Sequence, residues 1–256
     1  MRFFLNRRDF LLSSSALAMG SILGCSSSGT TSRPPMTPST VPPLTPIPVP
    51  WHWNDQEAPL IAATRPDFDI VTRGSPEEGV LRRRTRLVDP KVNLDIIEAR
   101  MESTMRQAKG VGLAGPQVGL GLRVATLMLD YKTDNPRVRF FRNPVIIERS
   151  DDTIEGYEGC LSIPGVGGKV RRSRWVKLSH DSFEGEALLE ETEGDNAVLW
   201  QHELDHLEGI LYIDKLVGEL LPMDEVRRRR QELKKPAGPH EPSALDWGSR
   251  DRILLA

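Results

Sequence analysis

Apolar positions recur along the chain in two rhythms. Leu94, Ile97, Met101 and Met105 are spaced by three or four, which lines one side of a helix over 94–107. Gly110 follows as a stop signal. Val198, Leu199 and Leu207 predict a second, buried helix over 195–207, capped by Asp195 or Asn196 and ended by Gly209. Residues 223–235 read as a third helix, rich in arginine and solvated. Short apolar runs bounded by Gly, Pro and Asp/Asn predict strands at 122–129, 138–141, 145–147 and 175–179. Helices and strands do not alternate regularly, so the pattern predicts α+β and not a doubly wound sheet. The folded domain is expected over 55–235, followed by a polar, proline-containing tail at 236–256.

Composition narrows the choice of partners. The 256 residues carry 34 basic and 36 acidic side chains, a net charge of -2, which excludes a strongly basic nucleic-acid binder. Three arginine groups, Arg82-Arg83-Arg84, Arg171-Arg172 and 227–230, read as solvated surface because acids elsewhere cancel them. Two cysteines cannot form a disulfide framework.

The first fifty residues read as address and tether. Asn6-Arg7-Arg8-Asp9-Phe10-Leu11-Leu12 resembles a twin-arginine export signal, and Leu23-Gly24-Cys25 resembles a bacterial lipoprotein cleavage site. That resemblance implies a signal peptide at 1–24 and acylation of Cys25. Residues 26–50 hold eight prolines and ten serines or threonines, with Arg33 the single charge. Such a segment buries too little to offset its ordering entropy, so 25–54 is expected to be an extended spacer. The expected location is the cell envelope, membrane-anchored and facing the periplasm; a start assigned too far upstream would make the chain cytoplasmic.

The chemistry begins at His202-Glu203-Leu204-Asp205-His206. On a helix, positions four apart share one face, so His202 and His206 can hold one metal ion. Glu203 projects beside them and can serve as general base. The third ligand is open to several readings. Gly209 sits where one zinc-protease pattern wants it, but Tyr212 stands where that pattern needs histidine. Glu225 lies at the distance another pattern uses. Cys160, the remaining cysteine once Cys25 is set aside, lies among turn-forming residues, an unusual place for a plain core cysteine.

Three separated motifs then match one family in order. Gly110-Val111-Gly112-Leu113-Ala114-Gly115-Pro116-Gln117 is similar to G-x-G-L-A-A-x-Q of the peptide deformylases. Glu158-Gly159-Cys160-Leu161-Ser162 and Gln201-His202-Glu203-Leu204-Asp205-His206 are the second and third. Asn143-Pro144 and Leu207-Glu208-Gly209 also fit, and the resemblance covers about residues 68–217. Gly115 departs from the usual alanine, which is expected to loosen packing slightly.

The resemblance implies antiparallel strands packed around a central helix that carries the His-Glu-x-x-His motif. It implies one divalent metal, Fe²⁺ foremost with Zn²⁺, Ni²⁺ or Co²⁺ as alternatives, held by Cys160, His202 and His206. Glu203 would move the proton of the attacking water; Gln117 and the Leu161 backbone N–H would stabilise the oxyanion. Gly112 would let a peptide backbone approach, and Val111, Glu158, Val198 and Leu199 would border a methionine pocket. The implied substrates are N-formyl-methionyl peptides, the product formate, with membrane contact only through the N-terminal anchor. Two other readings are a zinc endopeptidase and a catalytically idle, tethered formyl-peptide-binding module.

Overall fold

The computed structural model describes residues 52–182 and 184–233. The expected signal, Cys25, the tether up to residue 51 and the tail at 236–256 lie outside those residues. Asn54, the last residue assigned to the tether, is already bound into the folded domain: its Oδ1 accepts the Glu57 N–H at 2.8 Å.

The strands are β1 (Gly112–Ala114), β2 (Val124–Leu129), β3 (Arg137–Arg149), β4 (Thr153–Cys160), β5 (Ile163–Ser173), β6 (Trp175–Asp181), β7 (Ala187–Glu193) and β8 (Leu216–Pro222). The helices are α1 (Glu57–Ala62), α2 (Asp95–Gln107), α3 (Gly194–Leu207) and α4 (Met223–Leu233). One sheet has the order β1-β2-β3-β6-β7 and the other β4-β5-β8, with every pairing antiparallel. Helix α3 touches strands of both sheets. This is the α+β arrangement expected, with the motif helix at its centre.

The continuous apolar run at 122–129 is explained by burial on both faces of β2. Val124 faces α2 together with Ile97, Met101 and Met105. Ala125, Leu127 and Leu129 face α3 and pack with Phe141, Leu199 and Trp200. Strand side chains alternate, so one strand serves two cores.

Several boundaries differ from the sequence reading. The runs at 138–141 and 145–147 are one strand. Asn143 joins them at φ 52, and its side chain bonds Val88 N, Val88 O and Asp181 in place of ladder partners. Helix α2 turns off at Lys109, φ 58, and Gly110 N–H closes onto Met105 O. Helix α3 begins at Gly194, φ 61, without a side-chain cap. Asn196 and Asp195 reach instead to Asp130 and Lys132. Helix α4 is not wholly solvated: Val226 is buried, and Arg230 donates to Tyr157 O at 2.5 Å. It lies against β5 at Gly167, where a Cβ would stand 2.5 Å from Glu158 O and 3.2 Å from Val226.

Candidate metal centre

Two elements bring the donor atoms together. Helix α3 places His202 and His206 one turn apart, with ring centroids 5.1 Å from each other. Strand β4 ends at Cys160, where Leu161 and Ser162 turn the chain into β5. The donor atoms of Cys160, His202 and His206 all lie within 4.8 Å of one another, and all three residues are buried. Cys160 Sγ is 3.3 Å from His206 Nε2. Burial pushes the Cys160 thiol pKa up, the Glu203 charge adds to this, and hydrogen bonds from Ser162 and Ile163 oppose it. A cation offsets that cost, because the thiol releases its proton on binding.

Glu203 is fully buried, and neither carboxylate oxygen has a hydrogen-bond partner among the described residues. Burial first, then the Glu158 charge, raises its pKa well above the usual carboxylate value, while Arg172 opposes the rise. A buried polar group left this way requires a function or an absent partner. The thiol, two imidazoles and adjacent carboxylate therefore fit a metal ion with a water beside it. Gly112 makes room for this arrangement: a Cβ there would overlap Glu203 Oε1 and stand 2.9 Å from Leu199 Cδ1. Its missing side chain is thus used by the carboxylate from within the fold.

The imidazole of His202 is oriented from behind. Its Nδ1 is 2.8 Å from Glu158 Oε2, and an ionised carboxylate can only accept, so Nδ1 carries the proton and Nε2 is the ligand atom. Burial works to raise the Glu158 pKa, yet the charge and hydrogen bonds of Arg172, with His202, hold it well below the usual carboxylate range. Arg172 donates to both Glu158 oxygens at 2.8 Å and to Asp205 at 2.5 Å. Lys215 reaches the other Asp205 oxygen at 2.6 Å. Reading Arg171-Arg172 as solvated surface therefore fails for Arg172, which is 3 % exposed. On β5 alternate side chains face opposite ways, so Arg171 pairs with Glu155 at the surface and Arg172 turns inward.

The first motif closes the site from the side. Gln117 is buried in a 3₁₀ turn; its Oε1 accepts Ala114 N–H at 2.8 Å, and its Nε2 lies 3.5 Å from Cys160 Sγ. The amide NH₂ is thereby aimed at the donor cluster. Leu161 is held beside Gly110, where a Cβ would come within 2.9 Å of Leu161 Cδ1. Val111 and Leu199 share one apolar cluster, and Val198 packs against it. Glu158, expected at the pocket border, has its carboxylate engaged by His202 and Arg172. Gly115 does not loosen the packing: a Cβ there would stand 2.6 Å from Leu122 O and 3.1 Å from Leu120 O, so backbone already fills the space.

The alternative third ligands are elsewhere. Tyr212 stacks on His202, with centroids 6.2 Å apart, and its hydroxyl donates to Val166 O. Glu225 is paired with Arg228 and Arg229 on α4. Arg172, Asp205 and Lys215 were missed by sequence reasoning as parts of the centre. Asp205 alone carried a signal, as an acid inside a motif on a buried helix.

A Cys-His-His donor set beside a buried carboxylate, on a helix between two sheets, defines a mononuclear metallohydrolase centre. Residues 68–220 match the family described as polypeptide deformylase. The peptide deformylase of Phenylobacterium zucineum is 45% identical over 116 residues, which is 45% of this chain and 69% of that protein. The solved peptide deformylase of Thermotoga maritima superposes with a TM-score of 0.53 at 37% identity, covering 59% of this chain and 99% of that one. A Met-Ala-Ser-bound class I type b peptide deformylase from Acinetobacter baumannii gives 0.53 at 30% identity, over 59% and 98%. The chain belongs to the peptide deformylase family, metal-dependent hydrolases that remove the formyl group from N-terminal formyl-methionine.

Proposed function

We propose that this enzyme deformylates peptides through the residues gathered at the centre. The observation that carries the assignment is the convergence of the Cys160, His202 and His206 donor atoms next to Glu203, whose buried carboxylate has no hydrogen-bond partner among the described residues. Those three residues hold the ion, with Fe²⁺ favoured by the family resemblance and zinc, nickel or cobalt compatible with the donors. When bound, the ion supplies Lewis-acid polarisation and lowers the pKa of water.

Glu203 takes a proton from the attacking water and delivers it to the leaving nitrogen. The water oxygen bonds to the formyl carbon, the carbon–nitrogen bond breaks, and formate and a free amine leave. Gln117 Nε2 and the Leu161 backbone N–H donate to the oxyanion that forms between those events. Val111, Val198 and Leu199 border the methionine side chain. Glu158 is assigned here to orienting His202. Gly112 borders the place where substrate backbone pairs with the edge strand β1. The Met-Ala-Ser bound by the A. baumannii relative is the peptide such a reaction would leave.

Incubation of the protein, loaded anaerobically with Fe²⁺, with formyl-Met-Ala-Ser releases formate on this reading and leaves casein intact. Casein cleavage without formate would favour an endopeptidase. The proposed setting is the periplasmic face of the membrane, with Cys25 acylated and residues 25–51 as spacer. Palmitate labelling that disappears in Cys25→Ser supports it; soluble, unlabelled wild-type protein contradicts it.

A further inference from the structure

The family match begins at residue 68, yet α1 lies before it and is fastened to the segment that follows Gln117. We propose that residues 54–63 form a clamp that positions Gln117, with Glu57 as its positioning residue; this rests on the reading of Gln117 as an oxyanion donor.

Glu57 lies on α1 and is 0 % exposed. Its carboxylate accepts Gly121 N–H at 3.2 Å and Asn54 N–H at 3.3 Å, and forms an ion pair with Arg86. Arg86 grips the same segment through its backbone: its N–H donates to Gly121 O at 3.0 Å, and its carbonyl accepts Arg123 N–H at 2.8 Å. Leu60, one turn further on, fills the space beside Gly119, where φ is 82 and a Cβ would stand 2.9 Å from Leu60 Cδ1.

The gripped segment, 119–123, is the continuation of the turn that carries Gln117. Gly119 N–H donates to Pro116 O at 3.1 Å and Leu120 N–H to Gly115 O at 3.0 Å, so the two are tied. Val71 N–H donates to Gln117 O at 2.8 Å from the other side. Arg100 on α2 fixes the clamp itself, bonding Leu60 O at 2.6 Å and Asp67 O at 3.0 Å.

Leu60, Ile61 and Trp53 also pack against the α2 cluster. A buried carboxylate is a costly addition unless its partners need fixing. Besides Asn54 and Arg86, Glu57 bonds the Gly121 amide, four residues from Gln117. The adjacent backbone, built from Gly119 and Gly121, is otherwise conformationally permissive.

The test is a double-mutant cycle on the whole, metal-loaded protein, with kcat and KM for formyl-Met-Ala-Ser measured where every variant is folded by circular dichroism. Glu57→Ala is expected to lower kcat about tenfold with KM within about twofold, because a displaced donor loses transition-state contacts. Glu57→Gln, which still accepts from Gly121, restores most of kcat. In a Gln117→Ala background, Glu57→Ala has no further effect. An unchanged kcat in Glu57→Ala, or the same loss added to that of Gln117→Ala, overturns the clamp. If Glu57→Ala does not fold, Leu60→Ala carries the same cycle. Wild-type protein that releases no formate contradicts the deformylase reading instead. The clamp is then decided by hydrogen exchange in Glu57→Gln and Leu60→Ala: faster exchange confined to Leu120 and Gly121 supports it, and unchanged exchange overturns it.

Discussion

Gly112 and Glu203 share one space: the Glu203 carboxylate occupies the position where any side chain at residue 112 would begin. The glycine of the first motif and the acid of the third are therefore a single steric unit, although 112 and 203 sit on a sheet edge and a helix. Gly112→Ala must push Glu203 off its place beside the donor cluster. We expect kcat to fall about a hundredfold, the scale of a lost general base, while metal content by mass spectrometry stays at the wild-type level. Loss of metal in parallel with activity would place the effect on the ligands instead.

Glu158 fixes the ring of His202 through one short hydrogen bond. Glu158→Gln keeps the shape and removes the charge that favours the Nδ1–H tautomer. Metal affinity is expected to drop about tenfold, in line with other changes behind a ligand histidine. Competition against a chelator measures this. Glu155→Gln, on the same strand and pointing to solvent with Arg171, is the control that should retain wild-type affinity.

Acid stability should carry the signature of Glu190. Its carboxyl accepts from His180 and Arg139, and these bonds outweigh burial to hold its pKa at about 2, against an ordinary 4.5. Between those values the unfolded chain binds the proton and the folded one does not, so stability from this group is present above 4.5 and is lost as pH falls toward 2. Urea unfolding should show Glu190→Gln less stable than wild type at pH 5, with the gap closing as the pH approaches 2. Parallel curves over that window would contradict the assignment.

Much of the centre was legible because its signals are short and local. His202, Glu203 and His206 announce themselves by helical spacing, and Leu94 to Met105 by apolar periodicity. Strands β1, β4, β5, β7 and β8 were not legible. Strand β5 is not predicted, because Pro164, Gly165, Gly167 and Gly168 punctuate it. Two of those glycines serve close packing: Gly167 against Glu158 O and α4, and Gly168 against Leu216. Strand β7 reads Ala187-Leu188-Leu189-Glu190-Glu191-Thr192-Glu193, with no period-two pattern to mark it, and its Leu189 remains 52% exposed at the sheet edge. Arg172 escaped for a different reason: an arginine beside another arginine looks like surface until the strand's alternation is known. The departure at Gly115 needed the carbonyls of Leu120 and Leu122, which no local pattern reveals.

The Glu203 carboxylate, buried beside Cys160, His202 and His206 without a hydrogen-bond partner among the described residues, is the group proposed to move the proton in deformylation. The most direct test compares wild type with Glu203→Ala, both loaded anaerobically with Fe²⁺ to equal metal content, for formate release from formyl-Met-Ala-Ser. Formate is expected from the wild type, with a loss of at least about a hundredfold in Glu203→Ala. Equal rates from the two proteins at equal metal content would contradict it.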